Sequence, residues 1–378
     1  MCKAIRLTAM VGLSGTAIFA ADYTWDGAPG SFQTDTHWSP VGVPGAADNA
    51  KFTTAGTYGV TFSGNATNVS TVIGADVTFG LGGYSWLLSG GLTFSGTSIA
   101  RFGGGSLTVG SPVTVANNQK LVLNSGTSIF TNMLTESGGA IEVNGGDHAW
   151  QGFSCSTPPA GGASFRMTNG TVSVSGDFIS SSAGAVYSLE GGTLLIPPGG
   201  RGFQLQKSYT FNVYTNAMID YRATSRMYLS YTSSGNNLNI IGGTFTNTGI
   251  NLVLGSPQAN SRATVHLVDG LFYSSKPVYA GGVSFFPGST KVTDVLQQSG
   301  GHLQLDDTFY LGSQTNSMGV YTQSGGTAWC KNIRMGCYGT NATGKLTLTG
   351  GTLATPNTLY VGYVWLTVPE LHFWRAVN

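Results

Sequence analysis

Asp294 to Tyr363 reads DVLQQSGGHLQLDDTFYLGSQTNSM, then GVYTQSGGTAWCKNIRMGCYGTNAT, then GKLTLTGGTLATPNTLYVGY. Each unit holds a Gly-Gly pair ending at Gly301, Gly326 or Gly351, so each step is 25 residues. A second glycine follows in each unit at Gly312, Gly336 and Gly362, directly after Phe309-Tyr310-Leu311, Ile333-Arg334-Met335 and Leu359-Tyr360-Val361. Within a unit, short runs such as Val320-Tyr321-Thr322-Gln323 and Leu346-Thr347-Leu348-Thr349 alternate apolar and polar residues. That period belongs to a half-buried strand, and the runs are too short for helices. Glycine pairs supply backbone angles that residues with a Cβ avoid, so they mark corners. Each unit therefore reads strand, corner, strand, corner. One unit cannot bury its own apolar face, but a stack of copies can, at about 4.8 Å per layer. The expected fold is all-β: a parallel β-helix, or β-solenoid, with repeats of about 25 residues. Leu311, Met335 and Val361 are expected to form one inward column, and Leu303, Ala328 and Leu353 another.

Working outward, weaker copies extend the pattern upstream. Glycines at Gly139, Gly170, Gly192, Gly243, Gly270 and Gly301 are separated by 31, 22, 51, 27 and 31 residues. The 51-residue step predicts one degenerate layer around Phe203–Tyr231, a stretch that carries Tyr209, Tyr214, Tyr221, Tyr228 and Tyr231 with Arg222 and Arg226. The stack is assigned to 60–363, with about 14 layers and a length near 65 Å. Residues 22–59 do not fit the repeat. Trp25, Trp38 and three of the 13 prolines lie there, and the segment is expected to cap the open apolar column. A carbohydrate platform is the other reading of its aromatic rings. Residues 1–21 have the form of a secretory signal: Lys3 and Arg6, an apolar run from Leu7 to Phe19, and small residues Ala20 and Ala21 at the expected cleavage point. The apolar run is too short for a stable membrane anchor, and no transmembrane anchor is evident. Residues 364–378, with Trp365, Phe373 and Trp374, are left as a tail that covers the far end or frays.

The opening Trp25-Asp26-Gly27, Trp38-Ser39-Pro40, Val43-Pro44-Gly45 and Asp48-Asn49-Ala50-Lys51-Phe52, followed by many Gly-Gly-Thr-aliphatic units, resembles the autotransporter-associated β-strand repeat proteins. The resemblance implies an exported bacterial surface protein with a passenger-type β-solenoid. The chain departs from that pattern because no membrane barrel follows. Val368-Pro369-Glu370 is similar to the start of a Val-Pro-Glu-Pro sorting tail, but the apolar helix and basic cluster of such a tail are absent, which suggests an altered or truncated end.

Composition narrows the function. Only 9% of residues are charged, against a usual ~25%. The net charge is +1 and there is no basic block, so nucleic acid is not expected as a partner. Parallel β-helices include polysaccharide-cleaving enzymes, and that chemistry needs two converging carboxyl groups. Asp306-Asp307 is the one adjacent acidic pair, and neighbouring strand residues face opposite ways unless a corner intervenes. A polygalacturonase-like set is not formed: Gly300-Gly301-His302 precedes the acids and Asn332-Ile333-Arg334 only approximates the last motif. Lys331 is expected to neutralise one of the two aspartates. Glu136, Glu142, Asp147, Glu190, Asp220, Asp269 and Asp294 are scattered, with no calcium cluster of the pectate-lyase kind. Asp147-His148 reads as a solvated loop, and His37, His148, His266, His302 and His372 lack ligand spacing. The tyrosines of the Phe203–Tyr231 stretch read as packing rather than a sugar-stacking face. Cys155, Cys330 and Cys337 remain after signal removal. For Cys330 and Cys337 a bridge and small inward-facing residues are both open, the second being preferred.

No catalytic residue, metal ligand or cofactor is assigned. The expected protein is an exported, non-enzymatic cell-surface or matrix module, structural or adhesive, with a polysaccharide or another surface component as partner. The alternative is a carbohydrate-active, pectin-lyase-like β-helix that binds or cleaves polysaccharide.

Overall fold

The computed structural model describes residues 20–225, 227–230, 234–255, 261–282, 292–362 and 364–367. It is a parallel β-solenoid of about 13 coils, roughly 25 residues apart, with 61% of residues in strands. At about 4.8 Å per coil the stack is roughly 60 Å long. The single helical piece among the described residues is a 3₁₀ turn at Asp35–His37.

Each regular coil carries three strands rather than two. In one coil these are Thr293–Gln298, then the two halves of His302–Leu311. The next coil repeats them as Met318–Gln323 and the two halves of Thr327–Met335, and a third as Thr343–Leu348, Thr352–Ala354 and Thr358–Val361. The second and third faces were merged in the sequence because no glycine separates them. The chain turns instead at a bulge, where the pairing jumps from Leu305–Cys330 to Thr308–Asn332. Two residues, Asp306 and Asp307, thus oppose the single Lys331.

Both expected columns form in register. Leu311 pairs with Met335 and Met335 with Val361; Leu303 pairs with Ala328 and Ala328 with Leu353. Leu311, Met335 and Leu303 are fully buried, whereas Val361, in the last full coil, is 41% exposed. The third face carries an aromatic column. Phe153, Phe178 and Phe203 stack on successive coils with ring centroids 4.8 and 4.9 Å apart. Each ring is completely or almost completely buried. Removing such a side chain from water contributes about 1.5–3 kcal/mol, and the next coil is what removes it.

The glycine pairs meet a second demand that periodicity alone does not reveal. Gly301, Gly326 and Gly351 have φ of 63°, 71° and 81°, the left-handed region expected of a corner. They also lie against the backbone of the coil below. A Cβ on Gly326 would come within 2.5 Å of the carbonyl oxygens of Gly300 and Gly301, and one on Gly351 within 2.5 Å of the Gly326 oxygen. The Gly301 and Gly326 oxygens are fixed because they accept bonds along the stack, from Thr327 N–H and Thr352 N–H respectively, each 3.0 Å.

The 51-residue gap hides a regular coil. Gly192–Ile196 pairs with Ala217–Tyr221, which pairs onward with Thr244–Asn247. Asn216, φ 67°, occupies the corner in place of glycine. Asparagine tolerates that conformation better than other side chains, so the corner survives the loss of the motif.

Parallel pairing begins at Asp22, with Asp22–Thr24 on Asn49–Lys51 and Thr57–Thr61 on Asp76–Gly80. The segment 22–59 therefore contributes coil strands as well as an end. Trp38 folds back antiparallel on Trp25. Trp25, Phe32, Trp38 and Phe52 pack together inside, and each indole N–H is satisfied, Trp25 by Ala28 O and Trp38 by Phe32 O at 2.8 Å. Buried this way, the two tryptophans offer no platform to a sugar. The presumed signal, residues 1–19, and the residues after Thr367 lie outside the described residues. Val364–Thr367 adds one more parallel strand on Thr343–Leu348.

Candidate functional site

The outward surface is organised as rows that run from coil to coil, because parallel in-register pairing places equivalent side chains one above another. On the first face one row reads Asn212, Asn239, His266, Gln297, Thr322 and Thr347. Asn239 donates to the Asn212 side-chain oxygen at 2.8 Å. Nearer the N-terminus, the same face carries charges that pair between coils: Arg101 with Asp76, Lys120 with Glu142 at 2.7 Å, and Arg166 with Glu190 through two bonds of 2.8 and 2.5 Å. The Arg166 guanidinium holds the Glu190 carboxyl below its ordinary range. These are exposed pairs, and such pairs contribute about 0–1 kcal/mol each.

The acids do not converge. Asp306 accepts from the Tyr273 hydroxyl at 2.8 Å and from the Gln304 amide at 3.1 Å, while Asp307 caps the Thr308 N–H at 2.7 Å. The bulge does put the corner between them that catalysis would need, but each is engaged by its own neighbour. The expected neutralisation by Lys331 is not found. Lys331 is exposed, and none of the ion pairs among the described residues includes it.

Three titratable groups are buried: His148, which the sequence reading places in a solvated loop, and Glu136 and Asp294, two of the scattered acids. His148 lies on a strand, 3% exposed; its Nε2 donates to Gly145 O at 2.8 Å and its Nδ1 pairs with Ser128 Oγ at 2.9 Å. Burial holds the imidazole below its ordinary pKa, so the ring is neutral, with Nε2 the protonated nitrogen. It is a satisfied core group, not a solvated loop residue. Glu136 points inward between Val115 and Cys155. Its carboxyl takes the Gly138 N–H at 2.6 Å and the Cys155 thiol at 2.7 Å. Burial raises the Glu136 pKa and pushes the Cys155 thiol up to about 12. A thiol so disfavoured as thiolate is no nucleophile. Asp294 is completely buried; it accepts from the backbone N–H of Ala263 at 3.0 Å and of Gly281 at 2.8 Å. Alternation missed all three because a polar residue on an inward position looks the same as an outward one shifted by one.

Cys330 and Cys337 are free and buried, so the bridge alternative does not form and the inward-facing reading stands. Among the described residues no three His, Cys, Asp or Glu side chains converge as metal ligands. No described helix is long and apolar enough to cross a membrane.

The aromatic residues of the Phe203–Tyr231 stretch divide. Tyr209 and Tyr221 are buried in the core, as packing predicts. A second row lies outside the main core on the third face and draws one residue from each of several coils: Tyr228, Val253, Tyr279, Tyr310, Arg334 and Tyr360; Val253 and Tyr279 in it are buried, and exposure rises towards Tyr360. The Tyr279 and Tyr310 rings stack at 4.5 Å and 3°. The row ends at a groove of about 560 Å³ lined by Arg334, Tyr338, Tyr360, Thr358 and a glycine floor. These residues are spread over more than 130 positions of sequence, and only the register gathers them. The triplets before the second glycine of each unit were the available signal, since their middle residues are Tyr310, Arg334 and Tyr360.

No protein-family model, no curated protein and no solved structure matches the chain.

Proposed function

We propose that this chain is an exported, non-catalytic β-solenoid that serves as a structural or adhesive module at a cell surface or in an extracellular matrix. The observation that carries the reading is the disposition of its acids. Asp76, Glu142, Glu190, Asp306 and Asp307 are each taken by a neighbouring cation, hydroxyl, amide or backbone N–H, the exposed Asp147 stands apart from them, and Glu136 and Asp294 are sealed in the core. Cleavage of a glycosidic bond asks instead for two carboxyl groups across one open cleft. The rest of the surface suits repeated weak contact: flat faces, low charge, and amide and hydroxyl groups at a fixed spacing. Export is supported by the basic residues Lys3 and Arg6 followed by an apolar run, and by the resemblance of the opening segment to autotransporter-associated repeat proteins.

The reading is tested by incubating the purified protein with a panel of neutral and uronic-acid polysaccharides in the presence of calcium. The expected result is no new reducing ends and no unsaturated-uronate absorbance. Turnover that disappears in Asp306→Asn or Asp307→Asn would replace the module with an enzyme.

A further inference from the structure

We infer that the groove at Arg334, Tyr338 and Tyr360 binds an acidic polysaccharide, with a sugar ring stacked on the tyrosines and its carboxylate held by the arginine. The inference rests on the reading of this chain as a non-catalytic surface module and names what that module takes.

Three observations converge. The first is charge. Arg334 donates to the Tyr338 hydroxyl, but no carboxylate among the described residues pairs with it. Among the described residues Lys51, Arg101, Lys120, Arg166, Arg201 and Arg222 are paired with carboxylates of the protein, whereas Arg334, like Arg262 and Lys331, is not, and Arg334 alone of these lies beside exposed tyrosines in a groove. The groove lining holds this cation and no acid. Its guanidinium is a planar fork that matches a carboxylate through two parallel bonds.

The second is the aromatic surface. Tyr338 is 65% exposed and Tyr360 54%, the most exposed tyrosines among the described residues. A pyranose ring has an apolar C–H face, which packs on the electron-rich face of an aromatic ring. The groove volume lies within the range of about 300–1,000 Å³ typical of small-ligand sites, and the glycines at 336, 339 and 362 let a ligand approach the backbone.

The third is strain. Tyr338 sits at φ 76°. A bulky residue in that region is strained, and such residues concentrate at binding and catalytic sites. Burial does not recover the cost here, because the ring is mostly in solvent. What the conformation achieves is to set the ring beside the Arg334 side chain, at the end of the row formed by Tyr279 and Tyr310; the Tyr310 and Tyr338 centroids are 6.0 Å apart.

The occupant is a uronate polymer rather than a neutral one because of the unpaired guanidinium. A single cation is too little for nucleic acid, whose affinity comes from many phosphate contacts.

The test is calorimetric titration of the purified full chain with a linear uronic-acid oligosaccharide, a neutral oligosaccharide of the same length, and a sulfated one. The uronate is expected to bind at least ~10-fold more tightly than the neutral sugar, a difference of about 1.4 kcal/mol, and to weaken as salt is raised. Arg334→Gln and Tyr360→Ala are expected to reduce uronate affinity ~10-fold or more. Tyr84→Ala, at an exposed tyrosine elsewhere on the stack, is expected to leave it unchanged. All three positions are on the surface, and a melting curve confirms that each variant folds. Equal affinity for the acidic and neutral sugars, preference for the sulfated sugar, no binding, or full binding by Arg334→Gln overturns the inference. Cleavage of the oligosaccharide would overturn the non-catalytic reading instead, so the two failures are separable.

Discussion

Gly326→Ala is expected to destabilise its coil by about 4 kcal/mol, one of the two largest effects foreseen in this molecule. Two costs add. Holding an alanine at φ 71° costs about 1–2 kcal/mol. Fitting a methyl group within 2.5 Å of two backbone oxygens forces the coils apart, a strain of about 1–3 kcal/mol. Gly83→Ala separates the terms, because Gly83 has φ 94° and nothing within 4 Å of an added Cβ. That variant is expected to lose only the first part, about 1–2 kcal/mol. Long repeat stacks depart from two-state unfolding, so the measurement is native-state hydrogen exchange at the strand that follows each glycine, Thr327–Met335 for Gly326→Ala and Ser85–Leu88 for Gly83→Ala. Equal losses in the two variants would mean that the ladder of glycines is not a steric requirement.

The second large effect is a dependence of stability on pH, centred on Asp294. Burial raises this carboxyl from 3.8 to about 7, outweighing the backbone N–H groups of Ala263 and Gly281 that favour its charge. The folded state therefore holds the proton more tightly than the unfolded chain does. Below pH 3.8 both states are protonated and there is no penalty. Between 3.8 and about 7 the unfolded chain ionises first, so stability falls as pH rises, and the penalty is complete above 7. Three pKa units set an upper bound of about 4 kcal/mol. Glu136 is raised in the same direction, while His148 is lowered and contributes with the opposite sign. The comparison that isolates Asp294 is therefore Asp294→Asn, which cannot ionise. Relative to the parent, this variant is expected to gain up to about 4 kcal/mol between pH 4 and pH 8, read from native-state hydrogen exchange across Thr293–Gln298 at each pH. Parallel curves for the two proteins would show that Asp294 titrates as it does in water.

The regular end of the molecule was legible in its sequence, and the reason is physical. From Gly301 to Gly351 the corner before the second face needs a residue without a Cβ in each coil, so the fold writes its own period into the chain. Where another residue can make the corner, the period vanishes: Asn216 turns the chain as glycine does, and the coil it serves looked degenerate. The third face was invisible for a related reason. Its boundary is the bulge at Asp306-Asp307, which changes direction by pairing two residues against one and leaves no glycine behind. The groove was less legible still. Arg334 stands in the sequence at the centre of one triplet and in an approximate catalytic motif, and Tyr360 at the centre of another triplet. Their meaning depends on being neighbours across coils, which follows from register and not from local pattern. His148, Glu136 and Asp294 show the limit from the other side, since alternation tells which residues share a face but not which face is inside.

In-register stacking is the premise of every row described here, and a distance along one row tests it directly. Thr193 and Thr352 lie on the same outward row of the second face, six coils apart through residues 218, 244, 271, 302 and 327. At about 4.8 Å per coil their backbones are roughly 29 Å apart. Spin labels attached at these two positions through encoded non-cysteine handles should give one narrow pulsed-dipolar distance distribution centred near ~30 Å. A broad distribution, several maxima, or a centre beyond ~40 Å would contradict a continuous stack built at this spacing.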